Sequence, residues 1–249
     1  PITVEHKTAV VIGGTSGIGE AIALSFAESG ADVVASSRDP KRVRDTADSI
    51  RECGAETIEV TSDITDRSSL QALRDETLSA FGSVDILVTS ASAVSRSSLG
   101  TITESEWADV LDVQLDGVYR AVQVFTEKMD SGSIINISSI SARLAAANLL
   151  AYSAAKGGAN SFVRAAAKEL SPDIRVNAVA PGFVITNQNE EEYAEGTEKR
   201  TRIEDRTLLN RVADREEIAG ATLYLASDAA SYTTGEIITV DGGFSNNVF

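Results

Sequence analysis

The sequence predicts an α/β protein in which one domain, residues 1–249, is built on a doubly wound parallel sheet of seven strands flanked by helices. Three observations support this fold class. Short apolar runs alternate with amphipathic stretches along the whole chain, and a glycine-rich turn follows the first apolar run directly. With 249 residues, 43% of them hydrophobic, the chain is long enough to bury one full core.

The apolar runs have the length of strands, and the continuous apolar run Thr8–Ile12 is typical of a strand covered on both faces. They lie near residues 8–12, 32–36, 56–60, 84–88, 133–138, 174–179 and 236–240. The helical stretches between them lie near residues 18–29, 40–53, 66–81, 103–129, 151–170 and 214–226. This alternation implies right-handed βαβ crossovers, and therefore a parallel sheet.

The first strand leads into a turn that can hold a phosphate. The run Thr8–Ile12 is followed by Gly13-Gly-Thr-Ser-Gly17-Ile-Gly19 and then by an amphipathic stretch. Glycines permit a tight turn and a close approach of the backbone to a pyrophosphate, and the helix N-terminus offers free N–H groups. In this strand-turn-helix context the glycines predict dinucleotide binding, and a purely structural turn is the alternative.

The end of the second strand indicates which dinucleotide is bound. An acidic residue at the position of Ser37 would bind the adenosine 2′-hydroxyl and repel a 2′-phosphate. Ser37 lacks that repulsion, and Arg38 supplies a guanidinium for phosphate oxygens. Asp39 followed by Pro40 is typical of a helix N-cap with proline at the first helical position. We therefore predict that NADP(H) is preferred, with NAD(H) also possible.

Tyr152 and Lys156 are the predicted catalytic pair. They stand four residues apart on a predicted helix, so their side chains share one face. A phenol titrates near ~10, and an ammonium group beside it favours the phenolate. An isolated pair of this spacing would more often be a buried aromatic residue and a solvated lysine. Here Ser139 ends the apolar run upstream, at the strand end where an open α/β sheet presents its ligands.

Composition argues against several classes of function. The net charge of −15 argues against a nucleic-acid partner and leaves open whether the acidic surface is an adaptation to high internal salt. His6 is the only histidine, so a histidine-based triad or metal site is not expected, and the single Cys53 excludes an intrachain disulfide. No run reaches the ~18 apolar residues of a membrane span, and residues 1–7 lack a signal-peptide pattern. We expect a cytoplasmic protein with no membrane partner.

Together these motifs resemble those of the short-chain dehydrogenase/reductase family over essentially the whole chain, and especially its gluconate, sugar-acid and polyol dehydrogenases. The resemblance is carried by the glycine turn, Asp63 as the acid that holds adenine, the catalytic Ser139, Tyr152 and Lys156, the nicotinamide segment 181–186, and the last strand with its exit at 231–243.

The resemblance implies a Rossmann fold and a set of residues around the cofactor. These are Gly13, Thr15, Ser16, Gly17, Ile18, Gly19, Ser37, Arg38, Asp63, Ile64, Ala91, Tyr152, Lys156, Pro181, Gly182, Val184 and Thr186.

The mechanism implied by the resemblance is direct hydride transfer between nicotinamide and a carbonyl or secondary-alcohol carbon. Tyr152 would be the acid in reduction and the base in oxidation. Lys156 would lower the phenol's pKa and hold the nicotinamide ribose, and Ser139 would hydrogen-bond the substrate oxygen. No metal is required for this chemistry.

Two positions depart from the family pattern. The family usually has Asn-Asn-Ala-Gly where this chain has Thr89-Ser-Ala-Ser92, and an active-site Asn where this chain has Gln114. Gln114 carries the same amide on a stem one methylene longer, so we expect it to serve in the catalytic relay to solvent. The alternative from another class is a non-catalytic NADP(H)-binding regulatory protein.

Substrate identity is a finer prediction. Arg96, Trp107 and the segment 206–211 resemble sugar-acid and polyol dehydrogenases. Arg96 and Arg143 follow the carboxyl ends of two predicted strands, so either could reach a substrate carboxylate, although surface arginine is the simpler interpretation of each. The alternative substrate class is the 3-oxoacyl thioesters, whose reductases share nearly all of these motifs.

Two further expectations concern the lid and the assembly. Residues of about 182–212 follow a strand end and resemble the family's substrate lid, and loops of this length within compact domains are often functional. The stretches 103–129 and 151–170 hold more apolar residues than one sheet face needs. Excess apolar surface of this kind suggests a subunit interface, and the family commonly forms tetramers, so we predict a homotetramer.

Overall fold

The computed structural model describes residues 2–187 and 189–247, which form a single α/β domain. Its parallel strands are β1 (Thr8–Ile12), β2 (Asp32–Ser36), β3 (Ile86–Thr89), β4 (Gly132–Ile137), β5 (Ile174–Pro181) and β6 (Ile237–Val240). Its α-helices are α1 (Gly17–Glu28), α2 (Pro40–Glu52), α3 (Arg67–Phe81), α4 (Glu104–Leu111), α5 (Gly117–Thr126), α6 (Leu150–Leu170), α7 (Glu198–Glu204) and α8 (Glu216–Ala226).

The strand order places a ligand site at one edge of the sheet. The order is β2-β1-β3-β4-β5-β6, and every neighbouring pair is parallel. The chain proceeds outward from β1 to β2 and then returns to β3 on the other side of β1. Ligands bind open α/β sheets at such a reversal, outside the carboxyl ends of the strands. The turns after β1 and β3 are therefore expected to form the core of the site.

Two hydrophobic layers hold the helices on the sheet. One face packs against α1, α2 and α8, and Phe26 and Ile218 are fully buried there. The other face packs against α3, α5 and α6, with Phe125 and Leu73 fully buried. Apolar residues alternate between the two layers along β1, since Val11 belongs to the first and Val10 to the second. The prediction that β1 is covered on both faces is confirmed, since all five of its residues are buried.

The prediction of seven strands is wrong by one, because residues 56–60 run beside β2 without forming a strand. A backbone hydrogen bond joins them at one end, where the Val33 N–H donates to the Glu56 carbonyl at 3.1 Å. Further along, the Ser36 hydroxyl donates to the Val60 carbonyl at 2.6 Å. The Val60 carbonyl is thus bound by the Ser36 side chain and not by a backbone N–H group of β2. Continuous backbone pairing between the two segments does not form.

The predicted helix 103–129 is divided into α4 and α5 by a π-helical turn, Asp112–Asp116. A π turn holds an additional residue and often occurs at a functional site. Here it carries Gln114 to a position with no solvent exposure. The start of the helix follows from local sequence, since Thr103 and Glu106 form a reciprocal capping box.

The lid segment is a loop closed on itself. Its two ends meet at a single parallel bridge between Val184 and Ala213. Between them α7 forms, and Tyr193, Ile203 and Val212 make a small hydrophobic cluster separate from the two main layers. Gln188, within this segment, lies outside the described residues.

None of the helices described is both long enough and apolar enough to cross a membrane.

Candidate active site

A cavity of about 750 Å³ opens at the carboxyl ends of the strands, and most of the predicted site residues line it. Its volume lies within the usual range for small-molecule sites. The predicted residues in its wall are Gly13, Ser16, Gly17, Ile18, Gly19, Ser37, Arg38, Asp63, Ile64, Ala91, Ser139, Tyr152, Lys156, Pro181, Gly182, Val184 and Thr186.

The glycine turn allows backbone to pack directly on backbone. Gly13 has φ of +79°, and a Cβ there would lie 2.5 Å from the backbone nitrogen of Ala91, after β3. A Cβ at Gly19 would lie 2.1 Å from the Gly13 carbonyl oxygen. Both distances are shorter than side chains tolerate, so these positions require glycine. The turn after β1 and the turn after β3 are in this way held together beneath the cavity.

The N-terminus of α1 faces the cavity with its amide groups available. Ser16 is the N-cap residue, with φ of −165°, but its side chain makes no capping hydrogen bond. Gly17, the first helical residue, has φ of +54° and lines the cavity. The first N–H groups of a helix have no partner within the helix and favour anions. The glycine cradle and this helix end therefore fit the pyrophosphate of a dinucleotide.

The end of the cavity beside β2 holds two arginines. Arg38 and Arg42 both line it, beside Ser37. The Thr15 hydroxyl donates to the Ser37 hydroxyl at 2.7 Å. Thr15 itself does not line the cavity. Arg42 was not predicted from the sequence, although its place in the first turn of α2 could have indicated it.

The prediction for Asp39 is confirmed. It is the N-cap of α2, and its carboxylate accepts from the backbone N–H groups of Lys41 and Arg42, at 2.9 and 3.3 Å. Pro40 occupies the first helical position. The carboxylate is therefore engaged by the helix, and it does not take the place of the missing acid at Ser37.

Asp63 also lies in the cavity wall, after the segment beside β2. Its carboxylate accepts from the backbone N–H and the hydroxyl of Thr65, at 2.9 and 2.8 Å. These bonds fix its orientation next to Ile64, as a hydrogen-bonding group for an adenine ring would require.

Ser139, Tyr152 and Lys156 come together from two elements. Ser139 follows β4, while Tyr152 and Lys156 lie on one face in the first two turns of α6. The Lys156 ammonium donates to the Ile137 carbonyl at 2.6 Å, which ties α6 to the end of β4. The lysine nitrogen lies 5.6 Å from the centre of the Tyr152 ring. Ser139 hydrogen-bonds Tyr152.

Burial governs the titration of this pair. Burial raises the pKa of the Tyr152 phenol, and the hydrogen bond with Ser139 opposes that rise only in part. Burial also lowers the pKa of Lys156 from 10.5 to about 7. Both shifts favour the neutral form of each group. The expected lowering of the phenol's pKa by Lys156 is therefore not the dominant effect in the protein alone.

The segment after β5 closes the side of the cavity that lies beyond β4. A Cβ at Gly182 would lie 2.7 Å from the Asp241 Cβ, so this position packs directly against the turn after β6. The Asn189 side chain accepts from the Thr186 N–H at 2.8 Å and donates to the Val184 carbonyl at 3.0 Å. Asn189 and Tyr193 also line the cavity, and the sequence did not single out either.

Gln114 lies behind the wall. Its side-chain nitrogen donates to the Ser92 hydroxyl at 2.9 Å and to the Ala93 carbonyl at 3.0 Å. Ser92 and Ala93 line the cavity, and Gln114 itself does not. The two departures from the family pattern are thus in direct contact.

The two arginines considered for a substrate carboxylate lie elsewhere. The Arg96 side chain is 65% exposed and its guanidinium lies 3.5 Å from the Glu192 carboxylate of the lid. Arg143 donates to the Ser245 hydroxyl at 2.8 Å. The structure does not bring either one together with Ser139, Tyr152 and Lys156 in the cavity wall.

Over residues 2–187 and 189–247, no cluster of histidine, cysteine, aspartate and glutamate side chains could hold a metal ion.

Comparison with known proteins gives one family. Residues 13–245 match the family described as enoyl-(acyl carrier protein) reductase. The chain is 35% identical over 242 residues to a 3-oxoacyl-[acyl-carrier-protein] reductase of Staphylococcus aureus, covering 95% of this chain and 97% of the relative.

Solved structures agree with this result. A short-chain type dehydrogenase/reductase from Mycobacterium marinum is 30% identical, with a TM-score of 0.92 and coverage of 98% of this chain and 97% of that one. A gluconate 5-dehydrogenase from Burkholderia cenocepacia, solved with NADP and tartrate, is 27% identical, with a TM-score of 0.93 and coverage of 99% and 98%.

Proposed function

The chain belongs to the short-chain dehydrogenase/reductase family, and we propose that it transfers a hydride between NADP(H) and a carbonyl or secondary-alcohol carbon of a sugar, sugar acid or polyol. The observation that carries this proposal is the placement of Ser139, Tyr152 and Lys156 in the same cavity as the glycine turn. The family binds NAD(P), and the enzyme is an oxidoreductase.

The residues of this chain handle the proton. NADP(H), when bound, supplies or accepts the hydride. In reduction the Tyr152 hydroxyl donates its proton to the carbonyl oxygen, and in oxidation the phenolate takes it from the alcohol. Ser139 hydrogen-bonds the same oxygen and the phenol, so it limits the charge that develops on either. Lys156, held by the Ile137 carbonyl, has further N–H groups for the nicotinamide ribose.

The raised pKa of Tyr152 suits the acid role, since the phenol stays protonated across the neutral range. The base role requires the phenolate, which the Ser139 hydrogen bond and a protonated Lys156 both stabilise. A pKa of about 7 leaves Lys156 close to half protonated at neutral pH. A small change in its surroundings would then decide its charge.

The preference for NADP(H) is supported by charge at the adenosine end. Ser37, Arg38 and Arg42 line the cavity there, and the acid that would repel a 2′-phosphate is absent from position 37. The Burkholderia cenocepacia relative was solved with NADP. Catalytic efficiencies with NADP(H) and NAD(H) on one substrate test this preference. Equal or better efficiency with NAD(H) would reject it.

A sugar, sugar acid or polyol is supported by the likeness to the gluconate 5-dehydrogenase. Among these candidates we rank neutral polyhydroxy compounds before sugar acids, because no arginine stands beside Ser139, Tyr152 and Lys156 in the described cavity wall. Arg38 and Arg42 stand at the nucleotide end, whereas Arg96 and Arg143 are absent from the described wall. Neutral hydroxyl groups need hydrogen bonds alone, and Asn189 and Tyr193 are polar residues of the lid that line the cavity.

The second candidate function is reduction of 3-oxoacyl thioesters, which the 35% identity to the Staphylococcus aureus reductase favours. A panel of sugars, sugar acids, polyols and acetoacetyl thioesters, assayed in both directions with both cofactors, separates the candidates. Activity confined to the thioesters would overturn the ranking. A protein that bound NADPH and reduced nothing on a broad carbonyl panel would instead be the non-catalytic regulatory protein.

We also propose a homotetramer, although the structure leaves fewer exposed apolar side chains to support it than the sequence suggested. Most of the apolar residues that prompted the prediction, such as Ala121, Phe125 and Ala159, are buried within the subunit. Two aromatic side chains remain open on α4 and α5, since Trp107 is 39% and Tyr119 is 44% exposed. Light scattering at micromolar concentration tests the proposal, and a monomer would contradict it.

A further inference from the structure

The contact between Gln114 and the loop after β3 fixes which way its amide points. The side-chain nitrogen lies 3.0 Å from the Ala93 carbonyl oxygen and 2.9 Å from the Ser92 hydroxyl oxygen. A carbonyl oxygen can only accept a hydrogen bond, so the NH₂ group must face residue 93. The amide oxygen, Oε1, therefore points the other way.

That oxygen is a buried acceptor without a partner among the described residues. Gln114 has no solvent exposure, and buried polar atoms of this kind are rare because leaving them unpaired costs free energy. The π turn brings Gln114 alongside α6, where the neighbouring Leu115 side chain would lie 3.1 Å from a Cβ at Gly158. Lys156 lies on that same part of α6. The unpaired oxygen is thus buried, on a π turn that packs against the helix of the catalytic lysine.

Ser92 supplies one of the two contacts that set this arrangement. It stands on the cavity wall, is exposed there, and its hydroxyl accepts from Gln114. Without that hydroxyl, only the Ala93 carbonyl would restrain the amide, and the side chain could rotate about its last torsion. A hydroxyl at residue 92 therefore matters most when residue 114 is a glutamine.

We propose that Ser92 is a positioning residue, which holds the Gln114 amide so that its oxygen is a fixed acceptor in the proton path of Tyr152 and Lys156. This inference rests on the proposed function, because it assigns Gln114 to the path that carries protons during hydride transfer. Ser92 acts through Gln114 and need not touch the substrate.

A double-mutant cycle tests the coupling between the two residues. Ser92→Ala should lower kcat by about 3- to 10-fold, as the loss of one hydrogen bond implies, with the KM values for substrate and cofactor unchanged. The pH profile of kcat should also shift. Ser92→Thr, which keeps the hydroxyl, should retain most of the rate. In a Gln114→Ala background, Ser92→Ala should have almost no further effect.

Two outcomes of the cycle would overturn the proposal. One is an unchanged kcat and pH profile in Ser92→Ala. The other is an equal loss in the Gln114→Ala background, which would mean that Ser92 acts independently, for example by contacting substrate. Ser97→Ala is the matched control, since its hydroxyl lies in the same loop but donates to Glu106 at 2.7 Å, outside the cavity wall. It should leave kcat unchanged.

A readout without turnover separates this inference from the proposed function. The side-chain amide signals of Gln114 can be assigned by NMR through their loss in Gln114→Glu. Their hydrogen exchange should be slow in the unmodified protein and in Ser92→Thr, and faster in Ser92→Ala. Equal exchange in all three would reject the positioning role. An unmodified protein that reduces no carbonyl yet shows this exchange pattern would reject the proposed function and its proton path, while the contact of Ser92 with the Gln114 amide would stand.

Discussion

The Lys156 ammonium nitrogen lies 5.6 Å from the centre of the Tyr152 ring and is tethered to the Ile137 carbonyl at 2.6 Å. The tether fixes the lysine by backbone, so its position does not depend on the tyrosine. Burial at the same time keeps both groups biased towards neutrality. The pair is therefore arranged before any charge is placed on it.

Tyr152→Phe should abolish turnover and preserve binding. The ring still packs, but the group that exchanges a proton with the substrate is gone, which costs about 10²- to 10⁴-fold in rate. Steady-state assays measure the loss, and fluorescence titration with NADPH should show a dissociation constant close to that of the unmodified protein. Retention of more than a few per cent of the rate would refute the catalytic assignment.

The two directions of the reaction should respond to pH in opposite ways. Oxidation needs the Tyr152 phenolate, whose fraction grows as pH rises, and burial raises the pKa of this phenol. The rate of oxidation should therefore increase from about pH 6 to about pH 10, while the rate of reduction stays level and then falls. Rates at limiting substrate, measured in both directions, check this. An oxidation optimum at or below neutral pH would contradict it.

Lys156→Met should stabilise the fold while it destroys activity. Burial lowers the pKa of Lys156 to about 7, so between that pH and the unfolded value of 10.5 the unfolded chain binds more protons. The unfolding free energy therefore rises with pH across that window. Below the window, the full free-energy cost of burying the charged lysine is present. Removing the lysine should stabilise more at about pH 7 than at about pH 10.

Denaturant unfolding of Lys156→Met at both pH values measures that difference. Lys168→Met is the control, because Lys168 is exposed in the last turn of the same helix. It should change stability by the same small amount at each pH. If Lys156→Met shifted stability equally at both pH values, the lowered pKa would be wrong.

Arg38→Ala and Arg42→Ala should each weaken the binding of NADPH without affecting the binding of NADH. Loss of a charged hydrogen bond to the 2′-phosphate corresponds to about a 10- to 100-fold increase in KM for NADPH. Arg44→Ala is the matched control, since its guanidinium, in the same helix, lies 3.7 Å from Glu59 and not in the cavity wall. Equal effects of the Arg38 variant on both cofactors would show that it does not read the phosphate.

Two glycine substitutions should have opposite effects. In Gly19→Ala the new Cβ would lie 2.1 Å from the Gly13 carbonyl oxygen, so the turn must open and cofactor affinity and stability should both fall. Gly220, in α8, has open space around its Cβ position. Gly220→Ala should therefore stabilise by about 0.5–1 kcal/mol, the helix preference for alanine. Thermal unfolding with and without NADPH compares the two.

Local patterns predicted most of the fold. The bounds of β1 and β2 are those of their apolar runs, and the Asp39–Pro40 cap begins α2 as expected. Residues 56–60 were predicted wrongly because an apolar run cannot reveal that the Ser36 hydroxyl makes a contact belonging to a ladder. The π turn was likewise invisible, since its sequence continues a helical pattern.

The parts of the site that lie within one contiguous segment could be predicted from the sequence. The parts that depend on contacts between two separate elements were harder to predict. The glycine turn and the pair on α6 are each contiguous in sequence. Arg96 and Arg143 follow strand ends, yet their side chains bind Glu192 and Ser245, and only the folded chain decides that direction. Ser92 was noticed only as a departure, because its contact with Gln114 spans two elements.

The π turn that carries Gln114 makes the geometry of this helix sensitive to the deletion of a single residue. Five residues, Asp112–Asp116, occupy a turn wider than that of an α-helix, so the loss of any one could restore a regular helix from α4 into α5. Such a chain would gain helical regularity and rotate the following residues by about a quarter of a turn. The buried amide would then leave its place behind residues 92 and 93. We therefore expect the length of this segment, and not only its residue types, to be under purifying selection. Deletion of one residue from the turn should lower activity, which would show that the length matters.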